Sequence, residues 1–137
     1  MSWQYARALV SRILPNKKPL PTFRYEPDKN PEKSLAAVLE SQIGVMEIPA
    51  GSNYGGKVTE FLNSAGINYP APWCAAFVNW GCQQIGIPGY GAWVPSWYKP
   101  HFEISKPCRN AWGLVYYERM QRYGHIFVVS KVCDTGM

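Results

Sequence analysis

Apolar residues recur at helical spacing in the first two thirds of the chain and gather into strand-like runs in the last third. Leu35, Val38, Leu39 and Ile43 stand three and four residues apart, the period of one buried helix face. Asn30, Pro31 and Glu32 supply a cap, a first helical position that needs no N–H, and an acid for the first turn, so a helix is predicted to open there. A second helix is predicted after the turn-forming run Pro49-Ala50-Gly51-Ser52-Asn53, with Val58, Phe61, Leu62 and Ala65 inward and Gly66 as its stop. The third is predicted over 72–86, from Pro72 at its first position to Gly86, with Cys74, Phe77, Val78, Gly81, Cys82 and Ile85 inward. Beyond Ile87 the period is lost, and residues 88–111 read as an irregular stretch holding Trp93, Trp97, Tyr98 and Phe102. Strands are predicted over 114–117 and 126–132, joined by a loop over 118–124, with Asp134-Thr135-Gly136 opening another hairpin turn. Helices first and strands later predict an α+β domain, its N-terminal helices packed on a small antiparallel sheet. A two-strand sheet alone is marginal, so the pattern reads as cut off before its last strands.

Ahead of the first helix, Trp3, Ala6, Leu9, Val10, Ile13 and Leu14 fall near helical spacing, and five prolines from Pro15 to Pro31 then break regular structure. Residues 1–30 therefore read as an arm and linker, and residues 31–137 as the domain, which suits a length of 137 residues. Arg7, Ser11 and Arg12 interrupt the apolar positions of the arm, which leaves no secretory signal, and no apolar run approaches the ~18–20 residues of a membrane span. The expectation is a protein made in the cytoplasm, with no stable membrane insertion. The net charge of +5 belongs to the arm: Arg7, Arg12, Lys17, Lys18 and Arg24 face no acid before residue 25, and the nine remaining basic residues match the nine acidic ones. That placement argues against a nucleic-acid partner, which needs cations on a face of the fold itself. It suits an arm that contacts an anionic surface or a partner protein.

Cys74, Cys82, Cys108 and Cys133 form no CxxC pair, and His101 and His125 add no zinc spacing, so neither a metal nor another cofactor is expected. Cys74 and Cys82 lie eight apart on one predicted helix, ~12 Å along its axis, and cannot bridge each other. A Cys108–Cys133 bridge stays open, with free thiols expected in a reducing compartment.

Cys74 falls in the first turn of the third predicted helix, where unpaired N–H groups and the positive end of the dipole favour a thiolate and could hold an oxyanion. Cysteines on an apolar stripe are nevertheless more often structural than catalytic. His125 follows Gly124 at the predicted start of a strand and would reach the sulfur if the sheet packs across the start of that helix. His101, between Pro100 and Phe102, reads as a loop residue. Trp73, Trp93 and Trp97 are candidates to stack on sugar or peptide, against the plainer reading that they fill the core. Arg119 and Arg122, in the predicted loop before His125, are candidates to meet a substrate carboxylate, against a solvated loop.

The string Pro72-Trp73-Cys74-Ala75-Ala76-Phe77-Val78-Asn79-Trp80, followed by Gly124-His125-Ile126, resembles the CHAP amidases, cell-wall members of the papain-like, NlpC-type cysteine hydrolases. Gly44-Val45-Met46-Glu47-Ile48-Pro49, Gly51-Ser52-Asn53-Tyr54-Gly55, Val94-Pro95-Ser96-Trp97 and Gly113-Leu114-Val115-Tyr116-Tyr117 match the layout of a bacterial and phage branch of that family, so the resemblance runs over about residues 33–132. It implies a papain-like fold with Cys74 and His125 as the catalytic pair. It also implies peptidoglycan as substrate, and either N-acetylmuramoyl-L-alanine amidase or peptidoglycan endopeptidase activity through an acyl-enzyme. An enzyme of this kind would reach the wall by export, holin release or virion delivery. Two features depart from the pattern. Ala111-Trp112-Gly113 stands where the family has Gly-Asp, and the Asn, Asp or Glu that orients the imidazole would come from a strand after the histidine strand. Asp134 is nine residues from His125, about 30 Å along an extended strand, and is a poor substitute, while Asn110 would have to reach through a loop. The alternatives are a catalytically degenerate CHAP-fold module that binds wall or serves in a phage particle, and acyl transfer by the same pair.

Overall fold

The structure, a computed structural model, describes residues 33–133. The predicted arm, the linker, the Asn30-Pro31 helix entry and Asp134 lie outside the described residues. The architecture is mixed α+β: helices α1 (Leu35–Glu40), α2 (Gly56–Ser64) and α3 (Cys74–Gln84) precede strands β1 (Trp112–Tyr117) and β2 (Arg122–Val128), which pair as a two-stranded antiparallel sheet. Short 3-10 turns occupy Val94–Trp97, Pro100–Phe102 and Glu118–Met120.

The α-helix of α1 begins later than the sequence predicts, because Ser34 caps it, its Oγ accepting from the Ala37 N–H at 3.2 Å. The helix also ends early, at Glu40, and the chain unwinds through Gly44 at φ +102°. Ile43, expected inward, is consequently 84% exposed. Residues 109 and 110 hold both ends of α1. Asn110 Oδ1 accepts from Ala36 N at 2.8 Å, and Arg109 pairs with Glu40 at 3.0 Å while also donating to the Ser130 carbonyl. α2 buries Val58, Phe61 and Leu62 as predicted.

α3 lies between the other layers. Pro72 precedes its cap residue, Trp73, and so stands outside the helix instead of opening it. Ala75, Ala76, Val78, Asn79, Trp80, Gly81 and Cys82 are all buried, more than the single predicted stripe, because α1, α2 and the sheet each take a face. Gly81 permits the closest approach: an added Cβ would come within 2.6 Å of Leu39 Cδ2 and 3.0 Å of Leu35 Cδ1. One core cluster joins Leu35, Leu39, Ala75, Val78 and Cys82 to Val94, Trp97, Leu114 and Ile126. A second gathers Val58, Leu62 and Ala76.

β2 starts and stops four residues earlier than predicted. The predicted 118–124 loop contracts to the Glu118–Met120 turn and Gln121, which takes a left-handed conformation (φ 51°). Gly124 and His125 therefore sit inside the strand. Leu114 pairs with Ile126, both buried, and Val115 pairs with His125. Tyr116 then pairs with Tyr123, leaving Gly124 as the extra residue of a bulge. A Cβ at Gly124 would strike the Tyr117 ring.

Asn79 is the polar residue buried within α3. Its Nδ2 donates to the Ser64 carbonyl at 3.1 Å and its Oδ1 accepts from Gly91 N at 3.0 Å, so one carboxamide ties the end of α2 and the 89–91 segment to α3. Asn79→Ala orphans the part-buried Gly91 N–H. The expected loss is about 2 kcal/mol of unfolding free energy, read as a lowered midpoint in urea denaturation.

Candidate active site

Cys74 is the first residue of α3 and is half-buried. The first helical hydrogen bond runs from Phe77 N to Trp73 O at 2.8 Å, so the N–H groups of Cys74, Ala75 and Ala76 have no acceptor within the helix. They are the partial positive charge that a thiolate, or an oxyanion forming beside it, would meet.

Trp73 is held firmly. Its Nε1 donates to Glu47 Oε1 at 2.7 Å, and its ring stacks on Phe61 at 5.9 Å and meets the edge of Phe77 at 6.1 Å. Glu47 Oε2 also accepts from Asn53 N at 3.2 Å, and these bonds, the Trp73 one foremost, hold the carboxyl below its ordinary value of 4.5. Glu47 thus positions the residue that precedes the candidate nucleophile. Sequence reasoning missed it, because the two residues are 26 apart and no spacing rule joins them. Beside Trp73 opens a cleft of about 160 Å³ walled by Leu39, Ile43, Val45, Phe61, Trp73 and Phe77.

The other aromatic candidates separate. Trp93 is exposed and available to a ligand. Trp97 is corrected as a candidate to stack on a ligand and takes the plainer core role: it is fully buried, its Nε1 donates to the Gly91 carbonyl at 3.0 Å, and Tyr90 and Trp112 pack edge-on against it. A ring with no exposed face cannot stack on a ligand.

Among the cysteines, Cys82 is a core residue whose thiol burial pushes up to about 11, while Cys108 and Cys133 are exposed. All four are free. His101 is exposed on the Pro100–Phe102 turn with its ring against Phe102 at 4.2 Å. Asn110 is engaged by the N-terminus of α1. No group of three or more His, Cys, Asp or Glu among the described residues is arranged to hold a metal ion. No described helix is long and apolar enough to cross a membrane.

His125 lies in the middle of β2, not at the sheet end as predicted. Ile126, its neighbour, belongs to the core cluster against which Cys74 packs, so the strand segment bearing the imidazole lies against α3. The pairing with Val115 puts His125 in the row that alternates with Leu114 and Ile126, and the Gly124 bulge interrupts that alternation immediately beside it. Among the described residues the Cys74 sulfur and the His125 ring form no hydrogen bond with each other. The fold brings their elements together and leaves the two side chains unjoined.

The chain matches no family model, no curated protein and no solved structure.

Burial lowers the His125 pKa below its ordinary 6.5. The unfolded chain therefore takes up the proton first. The stabilisation is complete above pH 6.5 and is lost as the pH falls through the folded-state value. His125→Gln is expected to flatten the decline in melting temperature just below pH 6.5, as measured by thermal scans of both proteins across pH 7.5 to about 5.

Proposed function

We propose that this chain is a papain-like cysteine hydrolase of the CHAP type that cleaves amide bonds in peptidoglycan. The observation that carries the reading is the half-exposed Cys74 at the first position of α3, in the string Trp73-Cys74-Ala75-Ala76-Phe77-Val78. In the reaction, the sulfur attacks the amide carbonyl carbon while His125 accepts the thiol proton, and the tetrahedral oxyanion lies against the free N–H groups of the first turn. Collapse breaks the C–N bond, His125 returns the proton to the departing amine, and a thioester remains. Water, deprotonated by the same imidazole, then hydrolyses the thioester and frees the thiol. Closure of the pair accompanies substrate binding, as catalytic hydrogen bonds often tighten only in the loaded enzyme. The Gly124 bulge stands immediately beside His125 in the strand.

A second reading, a CHAP-fold module that binds wall without turnover, is favoured by one specific observation: the unjoined Cys74 and His125 side chains. Purified sacculi distinguish the two. The hydrolase releases soluble fragments, Cys74→Ala releases none at an unchanged melting temperature, and His125→Ala is slowed by about 100-fold or more. Alkylation mapped by mass spectrometry adds a readout that needs no substrate, since a Cys74 open to substrate is labelled by iodoacetamide in the folded protein. Folded, reduced wild-type protein that releases nothing, with Cys74 labelled only after denaturation, assigns the chain to the non-catalytic reading.

A further inference from the structure

The geometry points to Trp93 and Arg122 as a subsite for a carboxylate on the stem peptide, close to the bond cut at Cys74. The inference rests on the hydrolase reading for its substrate, and on the following contacts for its place. Trp93 is 57% exposed, yet its backbone is fixed on both sides. Ala92 packs with the Val58–Leu62–Ala76 cluster, as Trp73 does, and Val94 is buried in the cluster against which Cys74 packs. Gly91 N donates to Asn79, and Ser96 N closes the next turn on the Trp93 carbonyl at 3.0 Å. The segment that carries the exposed indole is thereby held against α3.

Arg122, three residues before His125 on β2, lays its guanidinium over that indole, Cζ lying 4.8 Å from the ring centroid. The strand beneath it is anchored by Tyr123, which stacks on Tyr98 and meets Tyr116 edge-on, each at 5.3 Å. The guanidinium makes one long hydrogen bond, 3.4 Å to the Tyr123 carbonyl. The ion pairs among the described residues join Lys57 to Glu60 and Arg109 to Glu40, and neither involves Arg122. A planar cation with most of its five donors unused, immobilised on an aromatic face, is pre-organised for bidentate capture of a carboxylate. The indole beside it offers apolar surface to the adjoining ligand atoms. One fixed cation beside one indole fits a single carboxylate, whereas a nucleic-acid backbone calls for a row of cations.

The test separates binding from turnover. Full-length Cys74→Ala protein is titrated calorimetrically with a purified disaccharide-tetrapeptide carrying free stem carboxylates, and with its amidated counterpart. The free acid is expected to bind about tenfold tighter or more, the worth of a charge-assisted hydrogen bond. Arg122→Gln in the same background is expected to bring the ratio near one, and Trp93→Ala to weaken both ligands. Both residues lie outside the buried core, and unchanged melting temperatures confirm that the variants fold. Equal affinity for the two ligands, a preference that survives Arg122→Gln, or no binding of either overturns the subsite. If wild-type protein cleaves sacculi but Cys74→Ala shows no preference, the subsite fails and the hydrolase stands. If the preference appears without any cleavage, the subsite stands and the hydrolase fails.

Discussion

Enclosing α3 between α1, α2 and the sheet leaves Asn79 no water to bond, so its carboxamide must find partners inside the protein, and those partners set the path of the chain. One end holds the last turn of α2 and the other fixes Gly91. An added Cβ at Gly89 would collide with the same carboxamide, so the 89–91 backbone passes as close to α3 as a chain can. From that pinned segment the next residues diverge. Trp97 turns inward and bonds back to the Gly91 carbonyl, while Trp93 is left outward. After the segment that Asn79 pins, two tryptophans four positions apart thus lie one at the surface and one in the core.

That sorting marks the limit of what the sequence discloses. Periodicity locates the three helices and the order of the strands among the described residues, because burying one face of a helix leaves a direct imprint on residue spacing. Boundaries are another matter. Asn30-Pro31 carries a local entry signal, but Ser34 makes the cap in the described structure, and Ile43 fits the stripe in number while lying past the last turn. The apolar run over 126–132 outlasts its strand because the ladder ends at Val128, after which Val129 bonds irregularly to residues 110 and 111, where Asn110 is left-handed (φ 72°). The joining turn uses Gln121 at positive φ, a residue with no turn signature, so the loop looks longer in sequence than it is.

The site was legible to a similar depth. The position of Cys74 in the first turn of its helix follows from local pattern alone. The distance from that helix to His125 depends on sheet register, and a one-residue bulge at Gly124 is enough to change which way a side chain leaves the strand. Glu47 was invisible because its partner is an indole N–H 26 residues away. Asn110, a remote candidate to orient the imidazole, instead accepts from Ala36 and fastens the sheet end to α1. In each case the deciding contact is tertiary, and composition and spacing do not encode it.

The surroundings of the proposed pair also bear on how its proton moves. Two arrangements serve a cysteine nucleophile: a resting thiolate–imidazolium ion pair, or a neutral pair in which the imidazole takes the proton as the sulfur attacks. Burial of His125 disfavours its protonated form, and no carboxylate accepts a hydrogen bond from the ring among the described residues, so nothing there supports a resting imidazolium. The N–H groups at the start of α3 stabilise negative charge wherever it forms, first on sulfur and then on the carbonyl oxygen. In the proposed reaction they are of most use once attack has begun. The neutral pair is therefore the arrangement these surroundings favour. In the proposed reaction that arrangement would place the burden of charge stabilisation on the helix N-terminus and would have His125 carry the proton without an acidic partner to orient it.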